Sequence, residues 1–150
     1  MPEDNSLNTG KGRSFQVLAR EILSAHFRTE FRLDYPILIG NPPKAHRFDL
    51  VSGDASIVGE CKNYSWTETG NMPSAKMGFI NEALLYLSYL PSATTKFIAM
   101  RVARHDRRQE TLAQYYVRTY RHLHAGIDVF EIDVESRDVR IHKHTEKSGT

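Results

Sequence analysis

Three charged side chains of one short stretch, Asp49, Glu60 and Lys62, have the types and the spacing to hold a cation beside a phosphate. They lie in segment 46–64, which is predicted to form two strands joined by a tight turn. Because alternate residues of a strand share a face, Glu60 and Lys62 point to the same side. Two acids and an amine in an otherwise apolar strand pair are costly to bury unless they hold a metal or one another.

The turn between the two strands decides where Asp49 points. Gly53-Asp54 is predicted to form a two-residue hairpin loop, because Gly tolerates the positive φ that the first turn position needs. This register puts Asp49 opposite Val58, on the face of Glu60 and one diagonal step from it. A slip of one residue would turn Asp49 to the other face.

The ligand types in this stretch favour a hard divalent cation. Carboxylate oxygens with few His or Cys nearby suit Mg²⁺, with Mn²⁺ as a substitute, better than zinc. Cys61 is the one cysteine of the chain, so neither a disulfide framework nor a cysteine-based zinc site can form within it. Lys62 is then expected beside the attacking water or a substrate phosphate.

Asp49, ten intervening residues and Glu60-Cys61-Lys62 resemble the signature of the PD-(D/E)XK nuclease superfamily. The run from 59 to 64, Gly-Glu-Cys-Lys-Asn-Tyr, is similar to the core strand of Mrr-type restriction endonucleases and Holliday-junction resolvases. Gly-Arg-Ser-Phe at 12–15, which leads into an amphipathic stretch, resembles the first helix of those enzymes. The resemblance therefore covers roughly residues 10–100.

The resemblance implies a restriction endonuclease-like α/β fold, in which helices flank a central mixed β-sheet in three layers. It also implies metal-dependent hydrolysis of DNA phosphodiester bonds in restriction, repair or junction resolution. Asp49 and Glu60, with the backbone carbonyl of Cys61, would hold one Mg²⁺. Lys62 would orient the attacking water and stabilise the charge that grows on phosphorus.

One position departs from the family pattern. The family usually has a metal-linked Glu just after the aromatic residue of the first helix, where this chain has Gln16. Gln16 is the positional equivalent and would act from the outer shell, whereas Glu21 is a weaker substitute. Asp34 is interpreted as an exposed loop acid rather than an extra ligand. The missing charge favours a second function, a non-catalytic nucleic-acid-binding module that retains the fold.

A third interpretation needs no ligand at all. Asp49, Glu60 and Lys62 would then form a satisfied ion cluster in a structural protein, because buried charges can pair without catalysing anything.

Basic and aromatic side chains near the predicted strand ends are the expected DNA contacts. Tyr64 and Trp66 follow the metal-binding strand and could stack on a base or sugar, with plain packing as the alternative. Arg101 and Arg104 follow a predicted buried strand, and Lys76 lies near the start of a predicted helix. Phosphate binding by these cations competes with an ordinary hydrated surface.

Periodicity predicts elements in the order α-β-β-β-α-β-α-β, with a closing hairpin. Helices are expected over 12–27, from a capping Ser74 to residue 90, and over 108–124. Strands are expected over 33–39, in the 46–64 pair, and over 95–102, 127–134 and 137–142. Residues 1–11 are predicted to be a flexible arm, 12–143 a single nuclease-like domain and 144–150 a flexible tail.

Composition sets the outer bounds. The chain has 150 residues, 40% of them hydrophobic, which suits one domain with a core. Its net charge is +2, and the second half carries 12 basic and 9 acidic residues, an excess compatible with DNA as a partner. No apolar run approaches the roughly 20 residues that span a bilayer, so we expect no membrane partner and a cytoplasmic location. A homodimer is compatible with the resemblance, because many relatives pair to cut two strands.

Overall fold

A computed structural model describes residues 5–143, and their side chains from residue 10 onward. The described elements are α1 (Asn5–Phe27), β1 (Phe31–Ile39), β2 (Lys44–Ser52), β3 (Ile57–Lys62), α2 (Ser74–Ser88), β4 (Thr95–Arg101), α3 (Leu112–Tyr120), a 3₁₀ turn (Arg121–Leu123), β5 (Ile127–Ile132) and β6 (Val139–His142). No α-helix in this part of the chain is long and apolar enough to cross a bilayer.

The six strands form one mixed sheet in the order β1-β2-β3-β4-β5-β6. β2 runs antiparallel to both β1 and β3, β4 runs parallel to both β3 and β5, and β6 runs antiparallel to β5. The apolar residues of α1 pack on one face, and those of α2 and α3 pack on the other. The predicted α/β architecture with a mixed sheet between helices is therefore confirmed.

The central strand β4 shows why the sheet is covered on both faces. Phe97 and Ala99 belong to the cluster beneath α1, whereas Ile98 and Met100 belong to the cluster beneath α2 and α3. All four side chains are buried. A continuous apolar run of this kind is typical of a strand with helices on both sides, as predicted.

α1 begins earlier than the sequence indicates. Its first residue is Asn5, so residues 5–11 of the predicted flexible arm are helical. Gly10 and Gly12 each lower helix propensity by about 1 kcal/mol relative to Ala, which hides this part of the helix from a periodicity test. A tertiary contact offsets that cost, because Asn63 Nδ2 donates to the carbonyl oxygen of Lys11 at 3.2 Å. Residues 1–4 and the predicted tail 144–150 lie outside the described residues.

The starts of α2 and α3 also differ from the prediction. Ser74 is the first residue of α2 and Pro73 occupies the N-cap position, so Ser74 makes no capping bond. α3 begins at Leu112 rather than near residue 108, because Thr111 and Gln114 form a capping box. The strand predicted over 33–39 is confirmed as β1, which lies at the edge of the sheet, where Pro36 is tolerated.

The turn between β2 and β3 has four residues, 53–56, instead of the two predicted. The carboxylate of Asp54 accepts hydrogen bonds from the Ser56 N–H at 3.0 Å and from the hydroxyls of Ser56 at 2.7 Å and Ser52 at 3.0 Å. These bonds hold the wider turn, with Ala55 at a φ of 59°. An Asp side chain that binds nearby backbone can impose a turn that dipeptide propensity does not predict.

The wider turn shifts the register by two residues. Leu50 pairs with Gly59 and Val51 with Val58, and the same register continued places Asp49 directly opposite Glu60. The predicted partner of Asp49, Val58, is therefore wrong. Because side chains alternate with a period of two, the shift by itself leaves Asp49, Glu60 and Lys62 on one face.

Candidate active site

The site is a fork between two strands. β2 and β3 pair at Leu50–Gly59 and Val51–Val58, and no further backbone pairing joins them toward Lys62. The Asp49 side chain fills the gap, with Oδ2 accepting from the Cys61 backbone N–H at 2.7 Å. The N–H and C=O of one strand residue point to the same side, so the Cys61 carbonyl also lies on the side of Asp49.

Glu60 is a buried carboxyl group beside a second one. Its side chain is 6% exposed. Burial, followed by the charge of Asp49 and a hydrogen bond with that carboxylate, raises the pKa of Glu60 to about 10, although Lys62 acts in the opposite direction. At neutral pH the carboxyl group of Glu60 is therefore protonated. A divalent cation would replace that proton and let Glu60 ionise beside Asp49.

His46 is a site residue that the sequence interpretation missed. Its Nε2 lies 2.9 Å from Glu60 Oε1. The imidazole stacks on Tyr86 of α2 with ring centroids 3.9 Å apart, and it meets Phe48 edge-on at 4.5 Å. Burial lowers the pKa of His46 below its ordinary value. A neutral, stacked imidazole holds one oxygen of Glu60 in place.

Strict alternation of side chains along β2 does not predict the contact of His46 with Glu60. Phe48 and Val51 both pack in the cluster beneath α2, so β2 turns over between them, at Asp49. The neighbouring strand is irregular at the same level, because Asp34 has a φ of 51°. The turn brings His46 and Asp49 to Glu60 together. A non-glycine residue with positive φ cannot be recognised from an Asp alone, so no sequence signal marks the irregularity.

Gln16 lies beside the backbone of Asp49. The side chain is buried, and its Nε2 donates to the Asp49 carbonyl oxygen at 3.0 Å and to Asp34 Oδ1 at 2.9 Å. The Gln16 hydrogen bond, with help from Arg13, lowers the pKa of Asp34 against the effect of burial. Asp34 is therefore part of a network in β1, and its interpretation as a loop acid is wrong.

Glu21, the weaker substitute for Gln16, takes no part in this network. Its side chain is 65% exposed and forms an ion pair with Arg137 at 3.0 Å.

Lys62 continues β3 beyond Glu60 on the same face. Its ammonium group hydrogen bonds with Tyr64, whose pKa is raised, chiefly by burial. Tyr64 is half-buried, and the ammonium group of Lys76 lies 5.2 Å from the centre of its ring. Tyr64 and two lysines thus form one partly exposed group beside the carboxylates.

A groove of about 1100 Å³ passes this group, between the first half of α1, the end of β3 and the start of α2. Its lining includes Lys11, Lys62, Lys76 and Arg101, and among the described residues that line it none is acidic. Cys61 and Lys62 line the groove whereas Asp49 and Glu60 do not, so the groove reaches the carboxylates through Lys62. This surface can attract a polyanion.

Two of the predicted DNA contacts, Trp66 and Arg101, form hydrogen bonds with other residues of the protein. Trp66 is buried, donates from Nε1 to the Ala103 carbonyl oxygen at 3.1 Å, and carries the Arg108 guanidinium 4.4 Å above its ring. Its predicted stacking on a base is therefore wrong, and the packing alternative is correct. Arg101 donates from Nε to Asn63 Oδ1 at 2.5 Å and also binds the Ser65 hydroxyl.

The remaining predicted contacts differ in position. Lys76 and Tyr64 line the groove, but Arg104, although exposed, is not among the lining residues. Arg104 instead lies near Asp133, whose pKa is lowered mainly by the backbone N–H groups of Glu135 and Ser136.

The donor set fits an oxygen-ligated cation. In residues 5–143 no group of three His, Cys, Asp or Glu side chains is arranged to hold a metal. The fork offers instead two carboxylates, Asp49 and Glu60, and the backbone carbonyl of Cys61. Mg²⁺ is commonly held by one or two carboxylates, with water and substrate oxygens completing the shell. The buried carboxyl group of Glu60 beside Asp49 is the observation that makes the fit specific.

Comparisons with models of protein families, with curated proteins and with solved structures found no match. The function of the chain is therefore inferred from its own residues.

Proposed function

We propose that this protein is a metal-dependent endonuclease that hydrolyses DNA phosphodiester bonds and has a restriction endonuclease-like fold. The observation that carries the proposal is the strand fork, where the buried carboxyl group of Glu60 lies beside the half-buried side chain of Asp49 and close to Lys62. A carboxylate pair without a cation is electrostatically unfavourable, and an adjacent amine suits a phosphate.

Each group at the fork would have a separate role in hydrolysis. Asp49, Glu60 and the Cys61 carbonyl would hold Mg²⁺ or Mn²⁺, and the bound ion would polarise the phosphate and lower the pKa of a water. Lys62 orients the attacking water and donates to the phosphoryl oxygen on which negative charge grows. The water oxygen loses a proton to solvent and bonds to phosphorus, one P–O ester bond breaks, and the departing oxygen takes up a proton from solvent.

The order of elements supports the fold assignment. α1 precedes three antiparallel strands, and Glu60 and Lys62 lie on the third of them, which is also the first of the parallel strands. The resemblance places the site on this strand. The cationic groove that reaches Lys62 supports DNA as the partner. The homodimer stays a prediction.

A non-catalytic nucleic-acid-binding module is the second candidate, and Gln16 favours it. The amide supplies no charge where related nucleases have a carboxylate. Such a module would keep the groove and lose efficient chemistry.

Incubation with supercoiled, linear and branched DNA, with Mg²⁺, with Mn²⁺ and without divalent ions, separates these functions. We expect metal-dependent nicking that Glu60→Gln abolishes and that Lys62→Met lowers about 100-fold. Lys44→Met is the matched control, because Lys44 is exposed and does not line the groove. DNA binding with no cleavage under any metal would support the module. Binding of neither metal nor DNA would leave only the ion cluster.

A further inference from the structure

We infer that Asp34 and Gln16 form a matched pair that positions Asp49, so that this chain requires an amide at position 16 where related nucleases have a carboxylate. The inference rests on the proposed function. Asp34 is a positioning residue, because it reaches the metal-binding carboxylate only through Gln16.

Both hydrogens of the Gln16 side-chain amide are donated in hydrogen bonds. One is donated to Asp34 Oδ1 at 2.9 Å and the other to the Asp49 carbonyl oxygen at 3.0 Å. The amide oxygen accepts from Arg13 at 3.2 Å, and Arg13 also binds the second oxygen of Asp34. The orientation of the amide is therefore fixed from both ends. Gln16 in turn holds the backbone of Asp49, whose side chain faces Glu60.

The backbone of Asp34 points to the same arrangement. Its φ of 51° is left-handed, although the β1–β2 pairing continues on both sides, at Leu33–Leu50 and at Tyr35–Phe48. A strained residue within a paired strand costs about 1 kcal/mol or more and persists where the surroundings hold it. Here the surroundings are the bonds from Gln16 and Arg13. Asp and Asn adopt this conformation most readily among residues other than Gly, so Asp34→Asn changes the charge without adding backbone strain.

The Asp34–Gln16 pair and the family pattern predict opposite effects of Gln16→Glu on metal binding. The pattern suggests that Gln16→Glu restores a missing carboxylate and improves metal binding. In this structure one oxygen of the new carboxylate would keep the Arg13 donor, but the other would face Asp34 Oδ1 and the Asp49 carbonyl oxygen, which are both acceptors. Gln16→Glu should therefore displace Asp49. Adding Asp34→Asn supplies an amide from the opposite side and restores the donor.

Calorimetric titration with Mn²⁺ tests the pair across four proteins: unmodified, Gln16→Glu, Asp34→Asn and the double variant. We expect Gln16→Glu to weaken Mn²⁺ binding about 10- to 100-fold, Asp34→Asn to weaken it about 10-fold, and the double variant to return within a few-fold of the unmodified protein. Nicking rates should follow the same order. Asp106→Asn is the control for a lost negative charge, since it removes one in an exposed turn beyond β4.

A Gln16→Glu variant that binds Mn²⁺ more tightly would overturn the inference while leaving the proposed function intact. So would a double variant that binds no better than Asp34→Asn, a comparison that holds even if Gln16→Glu alone does not fold. Thermal unfolding of each protein without metal shows which variants are folded. An unmodified protein that binds no Mn²⁺ would overturn the proposed function and the inference together.

Discussion

Two buried glutamates of the sheet each meet a histidine from the neighbouring antiparallel strand. Glu60 of β3 lies 2.9 Å from His46 of β2, and Glu131 of β5 lies 3.0 Å from His142 of β6. Both carboxyl groups are nearly inaccessible, with 6% and 2% of their side chains exposed. By residue type, strand pairing and burial, the two pairs are alike.

Their electrostatics are opposite. Burial would raise the pKa of Glu131, but hydrogen bonds from His142 and Thr111 outweigh it, so the pKa is lowered. The pKa of Glu60 is raised, because Asp49 adds a second carboxylate to the effect of burial. β5 and β6 stay paired from Val129 to Ile132, whereas β2 and β3 separate beside Glu60. A second acid at a strand fork, more than a buried Glu–His pair, therefore distinguishes the proposed cation site at Glu60 from the contact of Glu131 with His142.

Removing each carboxylate in turn should give the largest difference. We expect Glu60→Gln to weaken Mn²⁺ binding more than about 100-fold, because loss of an outer partner alone can cost 10- to 100-fold. Glu131→Gln should leave Mn²⁺ affinity within about 2-fold, since its neighbourhood offers a histidine and no second acid. Calorimetry on both variants measures the difference. Equal losses would mean that the fork is not the metal site.

Removing each histidine in turn should give the opposite order, with the larger loss of stability at the Glu131 pair. His142→Ala leaves Glu131 buried without its partner, which should lower the free energy of unfolding by about 3 kcal/mol. His46→Ala should cost about 1 kcal/mol, because the raised pKa keeps Glu60 protonated and therefore neutral at pH 7. Urea unfolding without metal at pH 7 gives both values. A larger loss for His46→Ala would show that the Glu60 pair, too, is mainly structural.

The pH dependence of stability should separate the two glutamates by sign. A raised folded-state pKa stabilises below the ordinary carboxyl pKa, and this stabilisation is lost as pH rises toward the folded pKa. Metal-free protein should therefore lose stability from about pH 5 upward through Glu60, and Glu60→Gln should gain about 1–2 kcal/mol at pH 8. The lowered pKa of Glu131 acts in reverse, stabilising at neutral pH and fading in acid. Urea unfolding from pH 4 to 9 measures both, and a flat profile for the unmodified protein would contradict the assignment to Glu60.

Much of the site could be predicted from the sequence, because its main feature depends on a period of two. The predicted turn was too short by two residues, yet Asp49, Glu60 and Lys62 kept their common face, since only an odd shift would separate them. The order of elements along the chain and the buried β4 were predicted from apolar runs and their spacing. These features depend on local patterns that tertiary contacts rarely override.

The missing parts depend on contacts between distant residues. The bond of Asp34 to Gln16 joins residues 18 positions apart, and that of Trp66 to Ala103 spans 37. His46 reaches Glu60 only because β2 turns over at Asp49. The hydrogen bonds around Gln16 and the burial of the Trp66 indole thus depend on tertiary geometry, which residue types alone do not determine.

The smallest expected effect is on DNA binding, through the lysines that line the groove near Glu60. Lys11→Ala and Lys76→Ala should each weaken DNA binding a few-fold and reduce the slope of log K against log salt by about 0.9, as one phosphate contact is lost. Arg140→Ala removes a charge beside Glu131 and should leave the slope unchanged, as should Lys44→Ala away from the groove. Fluorescence anisotropy with labelled DNA in EDTA isolates binding from cleavage. Slopes that fall equally for all four variants would mean that net charge, rather than the groove, attracts DNA.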